Sequence, residues 1–257
     1  MPAVDVNVNA AVVLTILLIS VRISGVLLLS PLFSIAQLPI RIRILFLLGL
    51  SLVLYLGLAI SPLHSLASIG GLISAIITEV IVGALMAFGI FTAFAAFMFG
   101  GRVMDFQMGF GVANLIDPAT NTQAPLIGTL LNIMGVMTFF LLDAHHMILR
   151  GLAYSFDKIP VGTPINELNM LAVIQQFGIV FSYGIALASP VILTLLLVDV
   201  GVAVAARTMP QINIFIVAMP LKIFIGLMVL AISIRYMPPI LERLFASIFR
   251  YWELVLG

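Results

Sequence analysis

The sequence predicts an all-α integral membrane protein, and three observations lead to that fold class. Hydrophobic residues make up 63% of the 257 residues, charged residues make up only 8%, and the mean hydropathy is +1.30. Because a soluble domain carries about a quarter charged residues, lipid or other apolar subunits must surround much of this chain. The apolar runs lack the alternation of membrane strands, and backbone in lipid must satisfy its own hydrogen bonds, which favours helices.

Six apolar runs are long enough to span a membrane. In chain order they are Ala10–Ser30, Ile44–Ile60, Leu72–Phe99, Leu126–Leu142, Leu171–Ala206 and Ile212–Ile234. Breaks that contain proline, glycine or charge separate them at Ser34–Arg43, Ser61–Gly71, Gly100–Pro125, Asp143–Asn169 and Arg207–Gln211. No internal repeat or linker divides the chain, so a single domain is predicted over residues 1–257.

The runs differ in length, although about 20 residues suffice to cross the hydrocarbon. Leu72–Phe99 has 28 residues and Leu171–Ala206 has 36. As one helix the longer run would extend roughly 54 Å. It is therefore either a broken helical hairpin or a helix packed against protein outside the lipid, and Pro190 is a natural site for a kink. Basic residues divide four to five between the two sides, which leaves the orientation open.

Four ionisable residues, Arg22, Glu79, Asp199 and Lys222, lie within or at the edges of these runs. An ionisable group at the centre of a bilayer costs on the order of 3 kcal/mol. Such groups therefore pair inside the protein, face a polar cavity or lie outside the lipid. Because they are scattered singly over different spans, interhelical pairing is the simpler interpretation, and an ion or proton pathway is the alternative.

Several function classes are excluded by the sequence. A net charge of +1 without a basic stretch argues against a nucleic-acid partner, and the absence of cysteine excludes disulfides and thiolate metal sites. Asp143, His145 and His146 form a cluster at the end of a span, but adjacent histidines on a helix point about 100° apart and suit one metal poorly. No nucleophile–base pair or phosphate loop stands out. We therefore predict no metal, no cofactor and no catalytic residue.

Five stretches together carry a resemblance to a known family. They are RISGVLLLSPLFSIAQLPIRIRI at Arg22–Ile44, EVIVGALMAF at Glu79–Phe88, GRVMDFQMGFGVANLIDPATNTQ at Gly101–Gln123, FLLDAHHMILRGLAYSF at Phe140–Phe156 and RTMPQINIFIVAMPLKIFIGL at Arg207–Leu227. In this order and with these separations they resemble the FliR/SctT family of type III export-gate membrane proteins. The DPATNTQAP form of the loop favours a flagellar member over an injectisome member.

The resemblance implies a non-enzymatic subunit of the flagellar type III export gate. Family members assemble with FliP and FliQ, FlhB attaches to that assembly, and FlhA works beneath it. Unfolded flagellar proteins pass through the gate, which lies in the bacterial inner membrane at the flagellar basal body. The implied fold is a set of bent helical hairpins within a helical assembly. The alternatives are a virulence injectisome subunit and a six-span secondary transporter, although a transporter should show an internal repeat.

In the family, the loop between the middle hydrophobic segments plugs the closed pore. By match this loop is Gly109–Thr122, with its plug residues at Gly109, Phe110, Gly111, Val112, Leu115 and Ile116. Glycines would supply backbone freedom, and Met104 and Met108 are candidates for a soft seal. The alternative interpretation is an amphipathic connector that packs on neighbouring helices.

Two further segments are interpreted as structural. Pro210 should end the preceding helix. It is flanked by Arg207, Gln211 and Asn213, which we expect to serve structure or assembly. We expect the same role for Arg22, Glu79, Asp199 and Lys222. The segment Tyr236–Gly257 carries apolar residues at helical spacing, interrupted by Arg243 and Arg250. It is predicted to be an amphipathic helix suited to a membrane interface or a partner subunit.

Overall fold

Long apolar runs and frequent small residues produce an architecture of helices throughout the described residues. The computed structural model describes residues 10–28, 39–62, 69–110, 125–165, 168–208 and 214–257, with the backbone alone for 214–217. Its helices are α1 (Ala10–Leu28), α2 (Ile40–Gly57), α3 (Ile69–Met108), α4 (Leu126–Leu141), α5 (Ala144–Lys158), α6 (Met170–Thr208), α7 (Ile214–Ser233) and α8 (Pro238–Leu256). A short 3-10 turn, Ile234–Tyr236, joins α7 to α8. The all-α prediction is confirmed.

Five helices in the described residues are long and apolar enough to cross a membrane, namely Ala10–Leu28, Ile40–Gly57, Ile69–Met108, Met170–Thr208 and Ala218–Tyr236. Helices α4 and α5 make a sixth when they count as one span bent at the short break between them. The number of apolar segments therefore agrees with the six predicted runs.

The predicted break at Gly100–Pro125 begins too early, because α3 continues to Met108. Glycine does not end the helix here but lets other backbones approach it. A methyl group added to Gly100 would lie 2.6 Å from the carbonyl oxygen of Gly184 in α6. One added to Gly101 would collide with Gly128 in α4. The pair of glycines marks a crossing of helices rather than a loop.

Helix also extends into the other four predicted breaks, by a few residues in Ser61–Gly71 and Arg207–Gln211 and further in the remaining two. Within Ser34–Arg43, α2 already begins at Ile40, because the carbonyl group of Pro39 accepts hydrogen bonds from the backbone N–H groups of Ile42 (3.0 Å) and Arg43 (3.2 Å). Within Asp143–Asn169, α5 occupies Ala144–Lys158. Its apolar residues recur every four positions at Ile148, Leu152 and Phe156, and all three are buried. A polar composition concealed this short amphipathic helix.

The longest run forms one continuous helix, so the broken-hairpin interpretation of Leu171–Ala206 is wrong. Helix α6 has 39 residues and contains Pro190. Proline lacks the N–H group that would bond the carbonyl group four residues earlier, that of Ala186. The hydroxyl group of Ser189 donates a hydrogen bond of 2.9 Å to that carbonyl oxygen instead. The helix passes the proline with this acceptor satisfied.

The chain divides into two compact units, and the first comprises Met1–Phe91, His145–Val173 and Ile248–Gly257. Helices α1 and α3 approach closely in it, since a methyl group on Gly83 would lie 2.7 Å from the carbonyl oxygen of Arg22. Helix α2 joins α1 through a 3.0 Å hydrogen bond between the hydroxyl groups of Ser20 and Ser51. The fully buried Trp252 of α8 donates a hydrogen bond of 3.0 Å to the carbonyl group of Met86.

The second unit comprises Thr92–Ala144 and Ile174–Ser247. Its centre is a cluster of four phenylalanines, Phe94, Phe97, Phe139 and Phe245, whose ring centroids lie between 5.4 and 6.1 Å apart. Such separations are typical of favourable tilted and edge-to-face aromatic contacts. The cluster joins the second half of α3 to α4 and to the start of α8. The prediction of a single domain over residues 1–257 stays a prediction.

The C-terminal segment is helical as predicted, but the apolar face of α8 is buried inside the protein and is not exposed to a membrane surface. Leu241, Leu244, Phe245 and Ile248 are all buried within the chain, and each is at most 5% exposed. Arg243 and Arg250 are exposed. An amphipathic pattern shows only that one face is covered, and here the protein's own helices cover it.

We predict that the close crossing of α1 and α3 does not tolerate a side chain at Gly83. Gly83→Ala should lower the free energy of unfolding by about 1–3 kcal/mol, because the added methyl group meets rigid backbone on α1. Gly178→Ala is the matched control, since nothing lies within 4 Å of a methyl group on this exposed glycine in α6. The control should be neutral or slightly stabilising. Equal thermal midpoints of the two variants in mild detergent would contradict the prediction.

Candidate functional site

Two methionines that the sequence analysis gives as candidates for a soft seal lie near the C-terminal end of α3. Met104 and Met108 are both 0% exposed. Met108 lies against α7, where a methyl group added to Gly226 would meet its Cε atom at 2.8 Å. The two side chains thus fill space inside the protein's own second unit. Their role as a soft seal stays a prediction.

The chain leaves α3 through a glycine. Gly109 has a φ of +90°, a backbone conformation that residues with a Cβ atom rarely adopt. Its N–H group donates a hydrogen bond of 3.1 Å to the carbonyl group of Phe106, and a methyl group on Gly109 would lie 3.6 Å from the side chain of Met219. Phe110 follows and is half-buried. The remaining predicted plug residues, Gly111, Val112, Leu115 and Ile116, lie outside the described residues.

A carboxylate joins the two helices that flank this segment. Asp105 is only 7% exposed. Its Oδ1 accepts a hydrogen bond of 3.1 Å from the N–H group of Ile127, and its Oδ2 accepts one of 3.4 Å from that of Gly128. Both amides belong to the first turn of α4, where helical N–H groups have no partner within the helix. Asp105 therefore caps α4 from α3.

A second polar group lies at the crossing of α6 and α7. The Nζ of Lys222 lies 2.8 Å from Oδ1 of Asp199 and 3.0 Å from its Oδ2. Gln107 of α3 contributes a longer contact of 3.4 Å from its Nε2 to Oδ2 of the same carboxylate. The side chains of Lys222 and Asp199 are 20% and 40% exposed. This ion pair therefore connects three helices and still reaches the surface of the chain.

The first unit contains a completely buried ion pair. The Nε of Arg22 in α1 lies 2.6 Å from Oε2 of Glu79 in α3, and its Nη2 lies 3.1 Å from Oε1. Both side chains are 0% exposed. The two parallel contacts form the bidentate geometry that planar guanidinium and carboxylate groups favour.

The remaining hydrogen-bonding capacity of this pair is used by α5 and the chain that follows it. Arg22 donates from Nη1 to the carbonyl group of Ser155 (2.8 Å) and from Nη2 to that of Ile159 (2.9 Å). The N–H group of Gly162 donates to Oε1 of Glu79 at 3.0 Å. The ring of Phe156 lies 4.3 Å from Cζ of Arg22, within the range of a cation–π contact. A buried ion pair is stable only when its other lone pairs and protons are satisfied in this way.

The structure thus places the predicted polar residues in two groups. Arg22 pairs with Glu79, and Asp199 pairs with Lys222, as the pairing interpretation expects; their part in assembly stays a prediction. Arg207 is exposed in the last turn of α6, while Gln211 and Asn213 lie outside the described residues.

Sequence reasoning missed Asp105, Gln107, Ser155 and Gly162. Asp105 became recognisable only once α3 was seen to continue to Met108, because in the sequence it lies within the predicted break Gly100–Pro125. The other three act through contacts with residues that are distant in the chain.

Comparison with known proteins shows which family this chain belongs to. The family described as "Bacterial export proteins, family 1" matches residues 13–248. The flagellar biosynthetic protein FliR of Bacillus subtilis (strain 168) is 31% identical over 234 residues, which cover 90% of this chain and 90% of that protein. FliR of Pectobacterium carotovorum subsp. carotovorum is 30% identical, with 89% and 87% covered. The Yop proteins translocation protein T of Yersinia pestis is 29% identical over 157 residues, 60% of each chain.

We predict that the Arg22–Glu79 pair stabilises the first unit only as a pair. Arg22→Met should lower the free energy of unfolding by about 3–5 kcal/mol, because it leaves the Glu79 carboxylate buried and uncompensated. The double variant Arg22→Met/Glu79→Met should recover part of that loss. Arg243→Met, at an exposed arginine of α8, is the control and should change stability by no more than about 0.5 kcal/mol. Thermal unfolding of the four proteins checks this, and a double variant no more stable than the single one would refute it.

Proposed function

Because this chain belongs to the bacterial export proteins, family 1, we propose that it is a membrane subunit of the flagellar protein-export gate. The observation that carries the proposal is the match to FliR of Bacillus subtilis, at 31% identity over 90% of both chains. The shorter match to the Yop proteins translocation protein T supports an injectisome subunit as the second candidate. Its smaller coverage, 60% of the chain, places it behind the flagellar function.

We propose a structural rather than a catalytic contribution to export. The polar side chains described above bond to their own chain: Arg22 to Glu79, Asp105 to α4 and Asp199 to Lys222. In this arrangement their chemistry is used to hold helices together. The protein would therefore act as part of a channel through which unfolded flagellar proteins cross the bacterial inner membrane.

The surface of α6 supports assembly with other membrane subunits. A helix of 39 residues is roughly 58 Å long, whereas the hydrocarbon core measures about 30 Å. Apolar side chains are exposed along its length, including Ile174 at 67%, Leu197 at 72% and Val204 at 61%. Lipid tails can cover only part of such a helix. We propose that FliP and FliQ cover the remainder, that FlhB attaches to this assembly and that FlhA acts beneath it.

The segment after α3 is the proposed pore plug, Gly109–Thr122. Two described features support this assignment. The chain leaves α3 at a glycine in the left-handed region, and the end of α3 and the start of α4 are connected through Asp105. A plug segment would need ends that are held in place, and the bonds from Asp105 to the first turn of α4 support that part of the proposal.

The composition of the complex tests the proposed function. We expect that co-expression with neighbouring FliP- and FliQ-like genes, followed by mild detergent extraction and native mass spectrometry, yields one hetero-oligomer. It should contain this chain with several copies of each partner. A monomer or homodimer that ignores both partners would overturn the assignment. Replacement of the partners by their injectisome counterparts is the control that separates the two candidate systems.

Removal of the proposed plug should open the gate without stopping export. We predict that a variant lacking residues 109–122 makes cells permeable to ions and small solutes while secretion of flagellar proteins continues. Membrane potential and secreted flagellin report the two effects separately. The unmodified protein and Gly178→Ala, a variant at an exposed glycine of α6, are the controls. Loss of export without any leak would contradict the plug.

A further inference from the structure

An apolar cavity lies within the second unit, between α6, α7 and the start of α8. Its volume is about 380 Å³, which falls in the range of about 300–1,000 Å³ that is typical of small-molecule sites. Its walls include Ala186, Leu187 and Pro190 of α6, Val229 and Ile232 of α7, and Ile240 of α8. These walls are aliphatic, so the cavity suits an apolar occupant.

Two polar groups beside the cavity are already bonded within the chain. The hydroxyl group of Ser233, which also lines the cavity, donates a hydrogen bond of 2.9 Å to the carbonyl group of Leu230. The carbonyl group of Ala186 accepts the hydrogen bond from Ser189 described above. An unbonded polar group would be costly against an apolar ligand. Because both groups have partners, a hydrocarbon chain can lie in the cavity without that cost.

The cavity lies near one end of a candidate membrane span. The span Ala218–Tyr236 ends at Tyr236, which itself lines the cavity. Another lining residue, Ile232, lies 18 residues after the start of α7 at Ile214. At about 1.5 Å per residue these two positions are roughly 27 Å apart, and the hydrocarbon core of a bilayer is about 30 Å thick. If α7 begins at one membrane surface, the cavity lies close to the other, at the level of lipid headgroups.

An aromatic side chain and two basic side chains lie at this end of the span. Tyr236 is 70% exposed, and tyrosine is enriched at membrane interfaces. The exposed Arg235 precedes it in the turn between α7 and α8. Arg243 is also exposed and follows Ile240 by three residues, so the two share one face of α8. Glu242 lies about 200° around the helix from Ile240, on a different face. The charge near the cavity is therefore positive.

From these observations we propose that the cavity holds an acyl chain of an anionic phospholipid, with the phosphate group near Arg235 and Arg243. Basic pockets between membrane helices bind anionic lipid headgroups. An empty cavity would leave its walls without van der Waals partners, and a lipid chain is narrow enough to enter it. A helix of another subunit, about 10 Å wide with its side chains, could insert only single side chains. The proposal goes beyond the export function and does not rest on it.

A photoactivatable lipid tests the site in the assembled complex. The probe is phosphatidylglycerol with a diazirine group in one acyl chain, mixed into phosphatidylethanolamine vesicles that contain the complex. We expect cross-links at Leu187 and Met237, which line the cavity but are only 1% and 4% exposed. Leu197, which is 72% exposed on α6, reports contact with bulk lipid. Labelling of Leu197 without labelling of the two cavity residues would overturn the proposal, because another group would then fill the cavity.

A larger side chain in the wall should displace the lipid. Ala186→Phe places a ring in the cavity and should lower the labelling of Leu187 and Met237 several-fold. Ala203→Phe, at an exposed alanine of the same helix, is the matched control and should leave that labelling unchanged. Equal labelling in the two variants would contradict the site. If Ala186→Phe does not fold, the cross-link positions in the unmodified protein still decide the question.

The headgroup is tested with a phosphatidylcholine probe that carries the same acyl chain. We expect this probe to label the cavity residues several-fold less than the phosphatidylglycerol probe. Arg235→Gln/Arg243→Gln should remove that preference without moving the cross-links, whereas Arg250→Gln, at an exposed arginine further along α8, should retain it. A preference that survives the double substitution would refute the role of these arginines. Native mass spectrometry of the complex tests the export assignment separately, so either proposal can fail alone.

Discussion

The Arg22–Glu79 pair shows the constraint on which this structure depends: a polar group in apolar surroundings must find its partners within the protein. The pair is 0% exposed, and its remaining donors and acceptors bond to Ser155, Ile159 and Gly162. These bonds come from α1, α3, α5 and the chain after α5. Because an unpaired charge would be so costly there, the pair requires the helices of the first unit to lie in one arrangement.

The same constraint explains polar residues elsewhere in the chain. Ser189 bonds the carbonyl group of Ala186 that Pro190 leaves without a donor, so α6 continues through the proline. Asp105 bonds two N–H groups that Pro125 leaves uncapped. Ser189 supplies the missing hydrogen-bond donor in the first case, and Asp105 supplies the missing acceptor in the second. Few charged residues are needed to satisfy such buried hydrogen-bonding groups, and only 8% of the residues are charged.

Glycines lie where helices contact one another inside the two units, whereas exposed apolar side chains lie on the outer surface of α6. Glycines at Gly25 and Gly83, and at Gly100 and Gly184, bring backbones together inside the two units. Helix α6, in contrast, presents Leu193, Leu197 and Val200 outward at 58% exposure or more. Internal glycines and external leucines suit a subunit whose helices are organised by its own contacts and whose surface meets lipid and other subunits. The Asp199–Lys222 pair, partly exposed on that surface, is most compatible with a polar neighbour or water.

The sequence by itself determined the helical membrane class, the approximate spans and the family. Apolar length and low charge are local properties, and the motifs that carry the family resemblance are contiguous. Only the tertiary structure decided the partners. Arg22 meets Glu79 across 57 positions, and Gly100 proved to be a helix crossing rather than a break. Periodicity shows which face of a helix is apolar, but it does not show which other face covers it. Pairing, capping and close approach depend on that second face, and for this reason they appeared only in the folded chain.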